Sequence, residues 1–263
     1  MARSFSVAVA PTGARRSKAD HPALPVTVQE IADTAVTCFD AGADMLHLHV
    51  RRSDGRHSLD VGQYREAIAA VAETAPNLAI QITTEAAEIY DVPDQLACLR
   101  QLAPRAASVS VREMARDEAT AKRLYVHAAE AGTDIQHILY SADDIALLRT
   151  WTETGIVPKS MRSVLFVLGQ YIPPVAGRPS DLLPFLSAAE KLDLSWSICA
   201  FGRNELACAR AALQAGGNVR VGFENNTRLP DGRPARDNAE LVALTVKEGL
   251  SLGLSHPPAR KVA

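Results

Sequence analysis

Residues 45–52, MLHLHVRR, set two histidines, His47 and His49, one residue apart in an apolar run. Side chains alternate along a strand, so both imidazoles share a face while Leu46, Leu48 and Val50 take the other. Neutral imidazole is a common ligand of divalent metals, and two of them need at least one further ligand. The run NVRVGFENN, residues 218–226, offers one. There Val219, Val221 and Phe223 alternate with Arg220, Gly222 and Glu224. Two imidazoles and one carboxylate leave room for water or substrate, the usual layout of a catalytic zinc site. Such nitrogen and oxygen ligands suit several divalent ions, so zinc is expected with other ions allowed.

Strands must position these groups, and the chain supplies eight β-like runs. They cover residues 5–9, 45–50, 78–83, 106–111, 134–139, 163–168, 195–200 and 218–222. Helix-like blocks lie between them, among them TVQEIADTAVTCFDAG and EATAKRLYVHAAEAG. Several blocks close on glycine, the left-handed stop expected at a helix end. Eight strands alternating with helices in about 250 residues predict an α/β protein of the (β/α)8 TIM barrel type. Residues 1–263 are expected to form a single barrel domain. A doubly wound sheet would be expected to carry a glycine-rich phosphate loop after its first strand. VAVAPTGARRSKADHP has neither G-x-G-x-x-G nor a Walker lysine.

Within the runs, polar residues share faces and fall late. Gln81 and Thr83 oppose Leu78, Ile80 and Ile82, while Ser108 and Ser110 oppose Ala107, Val109 and Val111. The inward set is thus His47, His49, Gln81, Thr83, Ser108, Ser110, Arg220 and Glu224. Barrel active sites gather at the C-terminal ends of the strands. A buried polar group without a partner costs roughly 1–3 kcal/mol, so such a cluster is either a network of internal struts or a site. His21, His57, His127 and His256 read as surface histidines in loops or on helices. His137 and Gln136 have opposite parity, and the pattern does not choose which faces inward.

The net charge of −2 argues against a general nucleic-acid binder. No apolar run reaches the ~18–20 residues of a membrane span, and the N-terminus lacks an apolar signal core. Cys38, Cys98, Cys199 and Cys208 are widely spaced with no C-x-x-C pair. That usage fits reduced, core-filling cysteine in a cytoplasmic protein. Metal-dependent amidohydrolases also carry H-x-H on a barrel strand, but on the first strand, with further histidines on the fifth and sixth and an Asp on the eighth. Here the pair lies on the second strand, the sixth has no histidine and the eighth ends in Glu.

The segments HPALPVTVQEIA, AGADMLHLHVRRSDGRHSLD, QITTEA, FGRNELACARAALQAGGNVRVGFENN and DNAELV run in order from residue 21 to residue 242. In them the chain resembles the β-keto acid cleavage enzymes, typified by the 3-keto-5-aminohexanoate cleavage enzyme. The resemblance implies an oligomeric (β/α)8 barrel, a dimer or tetramer, with zinc held by His47, His49 and Glu224. It implies that a β-keto acid and acetyl-CoA are converted to acetoacetate and a new acyl-CoA. Arg220 matches a position that stabilises developing negative charge, and Thr83 matches a small hydroxyl residue near the substrate. Ser108 or Ser110 falls near a second such position. Arg51, Arg52, Arg203 and Arg228 are candidates for CoA phosphates, alongside the plain reading of solvated surface arginines.

Two positions depart from the family pattern. Asn225 follows the ligand Glu where the family has an Asp in its base machinery, and an amide cannot accept a proton as a carboxylate does. Gln136 stands on strand five where the family has an acidic residue. Both changes remove negative charge near the metal and shift the expected substrate towards an uncharged or acidic acyl chain. Glu85 and Glu113 are replacement bases to consider, as is a metal-activated water. Two other functions stay open: a metal-dependent hydrolase or aldolase on the same barrel, and a non-catalytic metal- or ligand-binding relative.

Overall fold

Eight parallel strands close on themselves in the computed structural model, which describes residues 2–256. They are β1 (Val7–Val9), β2 (Met45–Leu48), β3 (Ala79–Thr83), β4 (Ala106–Ser110), β5 (Asp134–Leu139), β6 (Ser163–Gln170), β7 (Ser195–Ala200) and β8 (Asn218–Val221). β1 pairs with both β2 and β8, and the ring shuts where β7 pairs with β6 and β8. The register sets His47 opposite Gln81, Thr83 opposite Ser108 and Ser108 opposite Gln136. Seven strands fall inside their expected runs, β6 extends two residues past its own to Gln170, and the (β/α)8 barrel is the observed architecture.

A helix of two or more turns follows each strand: α1 (Val28–Asp40), α2 (Val61–Thr74), α3 (Val92–Leu102), α4 (Glu118–Ala131), α5 (Ala142–Glu153), α6 (Leu182–Ala189), α7 (Glu205–Ala215) and α8 (Asn238–Ser251). Their starts are written in the sequence. Thr27 and Glu30 form a reciprocal capping box on α1, as Asp91 and Asp94 do on α3. Asp60, Asp117, Ser141 and Asp237 cap α2, α4, α5 and α8. α4 and α7 end on left-handed Gly132 and Gly216, as the glycine signals predict.

The main core lies between the ring and the helices, where Val7, Leu46, Ile82, Val109, Phe166 and Val219 are buried. Inside the ring a second apolar cluster, Ile138, Leu165, Val167, Cys199 and Phe201, lines the β5–β7 side. The opposite interior, from β2–β4 and β8, carries His47, Gln81, Thr83, Ser108, Ser110 and Arg220, all buried. The interior is therefore half apolar and half polar. Among the described residues no helix is long and apolar enough to cross a membrane.

Candidate metal centre and its cavity

The ladder of β2 stops at Leu48, and His49 stands just past it at the mouth. Val50–Arg51 then pairs antiparallel with His57–Ser58, which fixes the exit of the chain. Both imidazoles are buried, as the alternation predicts. Glu224 arrives differently. β8 ends at Val221, and Glu224 sits on a tight turn in which the N–H groups of Asn225 and Asn226 donate to the carbonyl of Gly222. The Glu224 N–H donates to the Ala10 carbonyl at 3.0 Å, tying the turn to the end of β1. Strand parity thus predicts the inward placement of Glu224, although the backbone there is no longer a strand.

Two glycines make this turn fit. Gly222 has φ of 132°, and a Cβ there would lie 2.6 Å from the Ala10 carbonyl oxygen. Gly13, in the loop after β1, has φ of 64°, and a Cβ on it would meet Glu224 Cγ at 2.6 Å. Only glycine tolerates both the left-handed backbone and the close approach.

His47 Nε2, His49 Nε2 and Glu224 Oε2 converge. The nitrogens are 3.2 Å apart, and Oε2 lies 3.2 Å from His49 Nε2 and 3.8 Å from His47 Nε2. These edges suit the about 3.3 Å separation of tetrahedral ligands on bonds of about 2.0 Å. Among the described residues this is the group of His, Cys, Asp or Glu side chains placed to hold a metal. Glu224 Oε2 is buried with no hydrogen-bond partner among the described residues, a cost that a bound cation removes. The donor set and the orphaned oxygen fit a divalent ion.

The protonation states also suit ligation. Burial and the nearby charge of Arg220 hold His47 well below the usual imidazole range, so it is neutral. Its Nδ1 lies 2.8 Å from Gln81 Oε1, an acceptor, which places the proton on Nδ1 and leaves Nε2 free for a metal. Burial alone would raise the Glu224 carboxyl. The Arg220 guanidinium, with Nη2 donating to Oε1 at 3.1 Å, overcomes it and holds the group far below the carboxylate range.

Above the triad lies a cavity of about 300 Å³, lined by Thr83, Glu85, Ser110, Tyr140, Val167 and Phe201 together with His47, Arg220, Glu224 and Asn225. It opens beside a shallower depression that shares Arg15, Tyr171, Phe201 and Asn225. Several lining groups are buried without partners among the described residues: Arg220 Nε and Nη1, both amide atoms of Asn225 and the Ser110 hydroxyl. Native proteins rarely leave so many polar atoms unsatisfied, and here they surround one space. The polar side offers donors to a negatively charged ligand, and the β5–β7 side offers an apolar wall.

Other residues singled out in the sequence occupy different places. Gln136 faces inward but lies below the cavity, where its Oε1 accepts from Gln81 Nε2 at 3.3 Å and its Nε2 donates to Ser163 Oγ at 3.4 Å. Ser108 is also in this lower layer, opposite Gln136. His137 faces outward, stacked on Tyr125, with Nδ1 bonded to the Ser163 carbonyl. Arg51 bridges backbone carbonyls, Gly13 and Arg16 at 2.5 and 2.9 Å and Gly55 at 2.8 Å, so its guanidinium is committed to loop structure. The surface reading of three histidines is corrected, since the His256 side chain is only 4% exposed, packed on Phe5 with Nε2 3.1 Å from Asp44 Oδ2. His57 is buried, with Nε2 2.9 Å from the Glu85 carbonyl, and His21 is buried against Phe223 with Nε2 on the Ala235 carbonyl. Both sit in loops that fold back over the barrel mouth, and no local pattern announces that. Tyr171 was not singled out in the sequence, yet its hydroxyl donates to the Glu224 carbonyl.

A family model described as "beta-keto acid cleavage enzyme" matches residues 5–259. A 3-keto-5-aminohexanoate cleavage enzyme of Fusobacterium nucleatum subsp. nucleatum is 30% identical over 261 residues, covering 96% of this chain and 94% of its own. A 3-oxoadipate:acetyl-CoA acetyltransferase of Cupriavidus necator is 26% identical over 257 residues, covering 92% and 87%. Among solved structures, ObcA in ternary complex with a C4-CoA adduct and oxalate superposes with a TM-score of 0.70 at 19% identity. That match covers 90% of this chain and 66% of ObcA, so the chain spans just under two thirds of ObcA's length, and the likeness is one of fold. With a family model spanning nearly its whole length and a relative at 30% identity end to end, the chain belongs to the β-keto acid cleavage enzyme family.

Proposed function

We propose that the protein converts a β-keto acid and acetyl-CoA into acetoacetate and a new acyl-CoA, with a zinc ion or another divalent ion held by His47, His49 and Glu224. The convergence of those three side chains beneath a cavity of unsatisfied donors is the observation that carries the reading. When bound, the ion supplies Lewis-acid polarisation of the keto acid's carboxylate and ketone oxygens. Arg220, fixed by Glu224 through one nitrogen, presents Nε and Nη1 to the negative charge that develops on those oxygens. The hydroxyls of Thr83 and Ser110 and the amide of Asn225 orient the substrate, while Gln136 and Ser108 support the layer beneath them. The apolar wall of Ile138, Val167 and Phe201 receives the acyl chain, and the adjoining depression beside Arg15 gives the thioester its approach.

In this reaction the α-carbon of the keto acid loses a proton and attacks the acetyl carbonyl, releasing CoA thiolate. The thiolate then attacks the original ketone, and the carbon–carbon bond breaks to give acetoacetate and the new thioester. Names of the relatives support acetyl-CoA as co-substrate, since the C. necator protein is named for transfer to it. The proposal extends to a homo-oligomeric cytoplasmic protein formed by the single barrel of residues 1–263, with four buried unpaired cysteines suited to a reducing compartment.

The test is mass spectrometry of CoA products from zinc-loaded protein given acetyl-CoA and β-keto acids of varied charge and length. A new acyl-CoA matched by acetoacetate and lost in Glu224→Gln is expected. Turnover that does not need acetyl-CoA would replace this reading with hydrolysis or aldol cleavage. Metal binding with no turnover over the whole panel would leave a binding protein.

A further inference from the structure

We propose that Glu85 is the base that takes the α-proton of the keto acid, a role that rests on the function proposed above. β3 ends at Thr83, and the chain turns over the cavity mouth with Glu85 at the start of the turn. Its backbone is fastened on both sides: its N–H donates to Thr83 Oγ1 at 3.0 Å, and its carbonyl bonds His57 Nε2 at 2.9 Å. The next N–H, of Ala86, donates to Glu113 Oε2 at 3.0 Å. Ala87 and Glu88 then adopt left-handed backbone, φ 47° and 62°, with no glycine at either position. Such conformations are strained for residues that carry a Cβ and persist where surrounding contacts impose them, most often at functional sites.

The turn sets the Glu85 side chain in the cavity wall with His47, Arg220 and Glu224. Its carboxylate has no hydrogen-bond partner among the described residues, so nothing but charge and solvation fixes its affinity for a proton. Burial raises its pKa, Glu224 and Glu113 add to the rise, and His49 and Arg15 oppose it. A carboxylate of raised basicity is a better proton acceptor than an ordinary one.

The other lining groups are unsuited, Glu88 because its side chain is 82% exposed and pairs with Arg15 at 3.8 Å. Asn225 is an amide. Glu224 is committed to Arg220 and the histidines, and Glu113 Oε2 is engaged by the Ala86 N–H and by Gln95 Nε2 at 2.8 Å. Burial pushes the Tyr140 and Tyr171 hydroxyls above their ordinary range, so neither is anionic near neutrality. In the step itself, the Cα–H bond breaks, its electron pair passes into the enolate, and an O–H bond forms on Glu85. When the carbon–carbon bond later breaks, the departing acetoacetate enolate takes that proton back, which regenerates the carboxylate.

Acetoacetate carries the same acidic α-protons and serves as the probe. Exchange of its C2 protons in D2O is followed by NMR with zinc-loaded wild type, Glu85→Gln, Glu85→Asp and Glu113→Gln, alongside zinc content, acetoacetate binding by calorimetry and thermal midpoint. The enzyme-catalysed exchange should fall about 10²–10⁴-fold in Glu85→Gln. Zinc content and acetoacetate affinity should stay within about threefold, separating a lost proton acceptor from lost binding. Glu85→Asp should retain part of the rate and Glu113→Gln most of it. If Glu85→Gln melts early, slowed exchange at unchanged affinity in Glu85→Asp supports the same role. Exchange at the wild-type rate in both Glu85 variants overturns the assignment while acyl transfer stands. A wild type that makes the new acyl-CoA without exchanging also overturns it, and one that does neither removes both readings.

Discussion

His47 can offer Nε2 to a metal because Gln81 Oε1 takes up its Nδ1 proton at 2.8 Å. Gln81 is held in turn by Gln136, and Gln136 by Ser163, so three neutral side chains run across the barrel floor to orient one imidazole. Removing the acceptor frees the ring to rotate or change tautomer. Gln81→Leu should therefore weaken zinc affinity about 10–100-fold, read by competition with a chelator. Gln136→Leu, one bond further away, should weaken it less, and equal losses would refute the relay. At this scale the sequence is informative where chemistry follows parity. His47, His49, Gln81, Thr83, Ser110 and Arg220 face inward as alternation predicts. It is silent where a loop returns from afar, as with His57 and His21, or where two parities compete, as with Gln136 and His137.

The turn after β8 is the element on which the site depends, and it leans on the first residue of α7. Glu205 is buried, with Oε1 accepting from the Gly222 N–H at 3.1 Å and Oε2 from Asn226 Nδ2 at 3.2 Å. Burial pushes its carboxyl up to about 8, against the pull of those two bonds. The folded protein therefore keeps a proton that the unfolded chain releases near 4.5, and stability falls as pH rises from about 4.5 to about 8. At roughly 1.4 kcal/mol per unit, and a few degrees per kcal/mol in a chain of this size, the thermal midpoint should drop by roughly 5 °C or more between pH 5.5 and 8.5. Glu205→Gln, which cannot titrate, should flatten that drop. An equal drop in both proteins would assign the effect elsewhere. Capping residues and terminal glycines make the helices legible from sequence, but this turn is not, because Glu205 and Gly222 are brought together only by the fold.

Across the whole molecule, the expected runs matched the eight strands because buried parallel strands are short apolar segments between punctuated helices. The division of the interior into an apolar and a polar half was only partly visible, since Leu165, Val167 and Cys199 look like ordinary core until the ring closes. A metal bound across the polar half would join β2 to the β8 turn, a set of ligands that only the folded protein brings together. Zinc at about 100 times its dissociation constant should then stabilise by about 2.7 kcal/mol, a rise of roughly 5–10 °C that EDTA reverses and Glu224→Gln abolishes. The same ring closure governs synthesis. β8 pairs with β1 on one side and β7 on the other, and Glu224 follows it, whereas both histidines belong to the first fifth of the chain. A nascent polypeptide emerging from the ribosome exposes His47 and His49 long before their third ligand has been translated. Tight capture of a cation by the three groups would thereby wait until β8 and its turn close the barrel, and the cation would then be a signature of completed folding rather than a template for it.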